Sequence, residues 1–301
     1  MFRFFTSKKN KVAKDKQVAS TVKKSQAAGS KSAISAADDN SVGLDLSNCQ
    51  HIGARDNQED FFDVSDLNDK KKVDENGVWA VIADGMGGLD IGEKASKVAV
   101  KVFMREQEVL ETSEPIPKRL KRAAQVANTA VYDCAFNEQG EVDLGTTLVA
   151  AVVKDEKLFW VSVGDSRIYL FREGVLKQLN RDHIYKYHLM KDVEKGIITK
   201  KEADNHPERA YLTSHMGLPE LPEIDQNLEP LLLKAGDRIL LCSDGLSNTL
   251  SDDEIKLYFS KNDQFKAEEM VKQALIRKNR FQDNITVIIL SYGNKSAKNK
   301  Q

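Results

Sequence analysis

The apolar runs of this chain are short, and that limits its fold more than any other feature. The longest are about six residues, at 148–153 and 78–83, which is the length of a buried strand. Crossing a bilayer takes roughly 20 apolar residues in a helix, and no stretch comes near that. Residues 145–180 read as a β-meander, with strands at 147–153, 157–163, 167–171 and 175–179. The turns between them are Lys154-Asp155-Glu156, Gly164-Asp165-Ser166 and Arg172-Glu173-Gly174. Turns this short call for antiparallel neighbours, because a parallel pair needs a long crossover. Apolar residues at helical spacing mark helices at 91–110 and 118–136, and a further stripe runs from Ala267 to Leu275. Ser251 and Glu254 form a capping box that opens another helix. Helices grouped together and strands joined by hairpins predict an α+β protein with antiparallel sheets.

Composition narrows the class further. With 41% hydrophobic and 30% charged residues, the 301-residue chain can bury a core. The net charge of −1 hides an asymmetry: residues 1–40 carry nine Lys or Arg and three Asp, hence +6, and the remainder carries −7. This basic, Ser- and Ala-rich arm is predicted to be a disordered, solvated tail. Phe2, Phe4 and Phe5 beside its lysines leave weak contact with a membrane surface open. Three cysteines at 49, 134 and 242 suit neither a disulfide framework nor a zinc site. Met1 to Phe5 is apolar, yet Lys8 onward is polar, so no signal-peptide core is predicted. A cytoplasmic location is the expectation.

The acids are placed unusually. Asp84 directly follows the run 78–83, and Asp244 follows the strand 238–242 after a single Ser. Asp283 lies just before the closing strand at 285–290, and Asp60 precedes Phe61-Phe62. An acid at the end of a buried strand carries a desolvation cost unless something compensates it. Several brought to one rim would raise each other's pKa, a conflict that a divalent cation removes. An oxygen-only set without His or Cys selects hard ions, Mg²⁺ or Mn²⁺ rather than Zn²⁺. More carboxylates than one octahedral ion needs suggest a pair of ions sharing an Asp. Gly85 after Asp84 leaves its backbone carbonyl uncovered for coordination.

The ordered series Arg55…Glu59-Asp60, Asp84-Gly85-Met86-Gly87-Gly88, Gly145-Thr146-Thr147, Gly164-Asp165-Ser166-Arg167, Ser243-Asp244-Gly245-Leu246 and Asp283-Asn284 resembles the metal-dependent PP2C (PPM) family of Ser/Thr protein phosphatases, in its bacterial form. The likeness extends over about residues 45–292. It implies two antiparallel sheets packed as a sandwich with helices on both outer sides, an αββα arrangement. Residues 41–295 would be the phosphatase domain, with a flap at 181–227 and a polar C-terminal tail at 296–301.

By the same match, Asp84 bridges two Mn²⁺ or Mg²⁺ ions, and Asp244 and Asp283 bind the first. Asp60 and the Gly85 carbonyl bind the second, with Glu59 close by. Arg55 grips the substrate phosphate, because a guanidinium can donate two parallel hydrogen bonds. Asp165 matches an acid that bacterial members associate with a third, weaker ion, although a hairpin turn also explains it. Asn248, where many relatives have an Asp, would weaken that third site. The implied reaction is hydrolysis of phosphoSer or phosphoThr by direct attack of a metal-bridging hydroxide. Met86 stands where animal members carry a His, and Met cannot donate a proton. His51, His183, His188, His206 and His215 read as surface or loop residues, and Lys186, Lys191, Lys195, Lys200, Lys201 and Arg209 make the flap basic. Phosphorylated proteins and a cognate Ser/Thr kinase are the implied partners of a monomer, without nucleic acid.

Overall fold

The structure is a computed structural model, and its described residues are 42–86, 90–109, 114–137, 140–141, 144–261 and 266–294. The basic arm and the C-terminal tail lie outside them. In chain order, β1 (Val42–His51) and β2 (Asp60–Val64) lead through α1 (Lys70–Asn76) into β3 (Val78–Met86). Two long helices follow, α2 (Asp90–Val109) and α3 (Ile116–Ala135). The short strands β4 (Phe136–Asn137), β5 (Gly140–Glu141) and β6 (Gly145–Thr146) come next. The regular run is β7 (Leu148–Lys154), β8 (Lys157–Val163), β9 (Arg167–Arg172) and β10 (Val175–Gln178). The polar segment holds α4 (Lys186–Glu194) and α5 (Lys200–Asp204). Then come β11 (Asp225–Gln226), β12 (Leu231–Leu232), β13 (Arg238–Cys242) and α6 (Asp244–Ser247). The described chain closes with α7 (Asp252–Lys261), α8 (Ala267–Leu275) and β14 (Ile285–Asn294).

The strands form two antiparallel sheets. One has the order β1-β14-β13-β9-β10, and the other β11-β8-β7-β3-β2, with β12 on β8 and β6 on β3. The unbroken apolar run of β3 has a simple cause, since both its faces are covered. Trp79, Val81 and Ala83 face α2 and α3, packing with Phe103, Leu120 and Ala127. Val78, Ala80 and Ile82 face the other sheet and meet Ile239, Leu241, Ile288 and Leu290. On the far side Leu240, Cys242, Val287 and Ile289 pack under α7 and α8 through Ile255, Phe259 and Met270. Each fully buried aliphatic side chain contributes about 1.5–3 kcal/mol, so the middle layer locks the two sheets face to face and the outer two hold the helices on them. This is the αββα sandwich expected.

The meander reading needs one correction. β7 pairs with β8 and β9 with β10, but β8 and β9 belong to different sheets. Gly164-Asp165-Ser166 is therefore a corner where the chain crosses from one sheet to the other. A short link requires its ends to be close, and strands stacked across a sandwich end satisfy that as well as a hairpin does. Gly164 takes φ +103°, a left-handed value that a side chain rarely adopts. Asn180 clamps the corner by accepting from the Ile168 N–H and donating to the Ser166 carbonyl. The capping box at Ser251 is present, with Glu254 accepting from the Ser251 N–H and hydroxyl. α1 was not foreseen, because it is polar and buries none of its residues.

Candidate metal centre

Strand parity delivers the acids. In β2, Phe62 faces the inter-sheet core and Asp60 shares its side; in β3, Ile82 and Asp84 are related in the same way. Asp60 and Asp84 are direct cross-strand partners, which puts two carboxylates opposite each other where like charges repel. Both aim into the open end of the sandwich. Asp84 is held by its backbone: its N–H donates to Thr147 Oγ1 (3.0 Å), and its carbonyl accepts from the Thr147 N–H (2.9 Å) and Thr146 Oγ1 (2.8 Å). Gly85 is compulsory here, because a Cβ would lie 2.1 Å from the Gly92 carbonyl oxygen of α2.

The opposite sheet completes the rim. Ser243 Oγ and Thr286 Oγ1 both donate to Asp60 Oδ2, at 2.8 and 2.6 Å. Asp60 Oδ1 is buried without a hydrogen-bond partner. An orphaned carboxylate oxygen is costly, and a cation is the partner that suits it. Asn284 ties the loops together, its Oδ1 accepting from the Glu59 N–H and its Nδ2 donating to the Ile52 and Asn57 carbonyls. Gly53 and Gly245 allow this closeness, as a Cβ would lie 2.2 Å from the Asp283 carbonyl oxygen and 1.9 Å from that of Asn284. Asp283 pairs with Arg55 Nη2 at 2.5 Å, on the rim of the site.

A cavity of about 340 Å³ lies within this frame, lined by Glu59, Asp84, Asp165, Asp244 and Asp283 together with Arg55 and the Gly85 backbone. Burial pushes Asp60 up to about 7, against the pull of the Thr286 and Ser243 hydroxyls, and Asp244 and Asp283 add to the rise. Asp84 stands well above the usual carboxylate range through burial and then the charges of Asp60, Asp244 and Asp165. Asp165 also rises to about 7, by burial and by Asp244 and Asp182. Asp244 is raised for the same two reasons, burial first and Asp283 second. Among the described residues no three His, Cys, Asp or Glu side chains are already gathered into a closed ligand set. Asp84 and Asp244 instead crowd each other, and Asp283 turns to Arg55. The donor chemistry nonetheless fits hard divalent ions: every donor is an oxygen, the charge is in excess, and Asp60 keeps one oxygen free.

The sequence-predicted residues gather almost completely. Arg55, Asp84, Gly85, Asp165, Asp244 and Asp283 line one cavity, and Asp60 sits just behind, 2% exposed. Thr286 escaped sequence reasoning, and Ser243 and Asn284, though part of the motifs, were given no role: Ser243 and Thr286 hold Asp60, and Asn284 holds the loops. A small polar residue continuing the inward parity of an apolar strand is the signal for Ser243 and Thr286. The flap's Lys186, Lys191, Lys195, Lys200, Lys201 and Arg209 are exposed, as a basic surface requires, but they do not form the wall of the cavity. Ala210 and Leu212 line the cavity, and no lysine does. His183 is a loop residue but is not on the surface, being 1% exposed, with Nδ1 accepting from the Gly164 N–H.

Comparison with known proteins agrees with this fold. The family model described as protein phosphatase 2C matches residues 50–277. The serine/threonine phosphatase stp of Listeria monocytogenes is 34% identical over 217 residues, 70% of this chain and 82% of that protein. The crystal structure of the Mycobacterium tuberculosis serine/threonine phosphatase PstP/Ppp superposes with a TM-score of 0.66 at 29% identity, covering 84% of this chain and 99% of that one. A structure of the PstP catalytic domain in complex with two manganese ions gives a TM-score of 0.65 at 28% identity, over 84% and 100% of the two chains. With the sandwich, the cluster of acids and these matches in agreement, the chain belongs to the protein phosphatase 2C family of metal-dependent Ser/Thr phosphatases.

Proposed function

We propose that the cavity hydrolyses phosphoserine and phosphothreonine in proteins with two Mn²⁺ or Mg²⁺ ions, each position taking the role its placement supports. Asp84 would serve both ions, Asp244 and Asp283 would hold one, and Asp60 with the Gly85 carbonyl would hold the other. Asp165, at the sheet-to-sheet corner, holds a weaker third ion, and the Nδ2 of Asn248 donates to Asp244 Oδ2 at 3.1 Å rather than adding a charge. The observation that carries this reading is the unpartnered Oδ1 of buried Asp60. When bound, such ions activate water near neutral pH and neutralise charge on the phosphoryl oxygens. The chain's own groups do the rest. Arg55, half-exposed at the rim, exchanges its Asp283 partner for the substrate phosphate and orients it with paired N–H donors. Ala210 and Leu212 close one wall and limit the water beside the reacting group.

Purified protein with Mn²⁺ should hydrolyse p-nitrophenyl phosphate and a phosphothreonine peptide. EDTA and Asp84→Asn should each abolish both activities. Turnover that survives either treatment overturns the reading.

The same proposal covers the surroundings. Residues 41–295 form the catalytic unit, with 1–40 and 296–301 as tails. The protein works as a cytoplasmic monomer against phosphoproteins made by a cognate kinase, without nucleic acid. Weak membrane contact is assigned to the basic arm on its lysines and Phe2, Phe4 and Phe5; no helix among the described residues is long and apolar enough to cross a membrane.

A further inference from the structure

Between α8 and Asp283 the chain turns through Arg277, Lys278, Asn279, Arg280 and Phe281, all of them exposed. Arg277 is already engaged, pairing with Glu254 of α7. Lys278 and Arg280 form no ion pair among the described residues. Phe281 is 79% exposed, the most of any large apolar side chain described, and the Arg280 guanidinium lies 5.6 Å from its ring centre. Such a surface does nothing for the folded chain alone. An aromatic ring left in water forgoes the gain of burial, and cations on one turn repel. Lys278 adds a further cost at φ +52°, the left-handed conformation that a helix end ordinarily gives to Gly.

The turn is nonetheless fixed in place. Asn279 accepts from the Phe281 N–H at its Oδ1 (3.0 Å) and from the Gln282 N–H at its carbonyl (3.2 Å). Buried Gln282 anchors the end of the turn. Its Nε2 donates to the Gly245 carbonyl (2.9 Å), its Oε1 accepts from the Thr249 hydroxyl (3.0 Å), and its own carbonyl accepts from the Ala54 N–H (2.7 Å). Ala54 precedes Arg55 and Gln282 precedes Asp283, the two residues paired at the cavity rim. Two residues of chain span at most about 7 Å, so the Phe281 backbone lies that close to the Asp283 backbone. A protein substrate whose phosphate sits in the cavity runs on past the rim at about 3.3 Å per residue. Residues roughly two to four positions from the phosphorylated one therefore come within reach of the turn.

We infer that the turn from Lys278 to Phe281 docks acidic residues flanking the phosphorylated Ser or Thr of a protein substrate, a role that rests on the phosphatase reading above. Carboxylates of the substrate pair with Lys278 and Arg280, and the substrate chain covers the Phe281 ring. Because the turn is already ordered, little freedom is lost when the substrate meets it. The flap lysines have the same sign of charge but lie on a separate segment, so substitutions in the turn tell the two apart.

The test compares two phosphothreonine peptides as substrates of the full Mn²⁺-loaded chain. One carries Asp two to four positions away on both sides of the phosphothreonine, and the other carries Asn at the same places. Wild-type protein should favour the Asp peptide about 5-fold in kcat/KM, mostly through KM, which is what two exposed ion pairs supply. Added salt should shrink the preference. Lys278→Gly combined with Arg280→Gln should erase it. Gly suits the left-handed backbone at 278, so the melting midpoint should hold. Phe281→Ser should raise KM for both peptides. p-Nitrophenyl phosphate has no flanking residues, and all these variants should turn it over as wild type does. The inference is overturned if wild type shows no Asp preference, or if the preference survives the double variant, which would place it on the flap. It is equally overturned if Phe281→Ser leaves both KM values unchanged, or if the variants slow p-nitrophenyl phosphate as much as the peptides. Wild-type protein that hydrolyses neither the peptides nor p-nitrophenyl phosphate would instead sink the phosphatase reading itself.

Discussion

Asp60 divides its two oxygens between structure and function. Oδ2 takes the Ser243 and Thr286 hydroxyls and thereby bolts one sheet to the other, while Oδ1 is reserved. Its folded pKa, about 7, lies above the ordinary 3.8, so the metal-free folded state binds the extra proton between those values. The stability this brings is complete below 3.8 and is lost as pH rises through about 7. Metal-free protein should therefore melt at falling temperature across the same window, and Asp60→Asn should flatten the fall. Added Mn²⁺ should stabilise more at the top of the window than at the bottom. Calorimetry across pH with EDTA or Mn²⁺ checks each point. Arg55 belongs to the same scale. Its guanidinium is the donor at the rim, and Lys cannot copy its two parallel hydrogen bonds. Arg55→Lys should lower kcat/KM for a phosphopeptide about 10- to 100-fold, the worth of one charge-assisted hydrogen bond, and steady-state kinetics reads this directly.

At the scale of elements, the site is made of strand ends and the loops that join them. Asn284, just before β14, makes three hydrogen bonds to the loop that carries Arg55 and Glu59. Asn284→Ala should cost about 2–3 kcal/mol in urea unfolding and weaken Mn²⁺ binding measured by titration calorimetry. The strands themselves were legible, since β3 is continuously apolar and β13 and β14 end or begin beside an acid. The long helices and the Ser251 cap were legible too, because their periodicity and capping chemistry are local. The corner at Gly164-Asp165-Ser166 was not. A three-residue turn looks the same on paper whether the next strand lies alongside or crosses to the facing sheet, and only the partners of β8 and β9 decide it. The flap hid its role similarly, for its charges dominate the sequence while Ala210 and Leu212 are what reach the cavity.

For the molecule as a whole, net charge is divided unevenly along the chain. The first 40 residues carry +6, whereas β1 begins at Val42 and pairs with β14 along ten residues to His51. Protein lacking residues 1–40 should keep its melting midpoint and its p-nitrophenyl phosphate turnover. It should lose any co-sedimentation with anionic vesicles that the full chain shows, and an activity loss would mean that the arm belongs to the site. The sequence alone determined the kinds and order of the elements, and that its acids sit at the ends of buried strands, because hydrophobic period and desolvation cost are properties of a few neighbouring residues. Only the tertiary structure decided that Asp60, Asp84, Asp165, Asp244 and Asp283 converge, and that Ser243 and Thr286 hold one of them. Those meetings depend on which sheet each strand joins and in what register, and strand partners far apart in the chain leave no local mark.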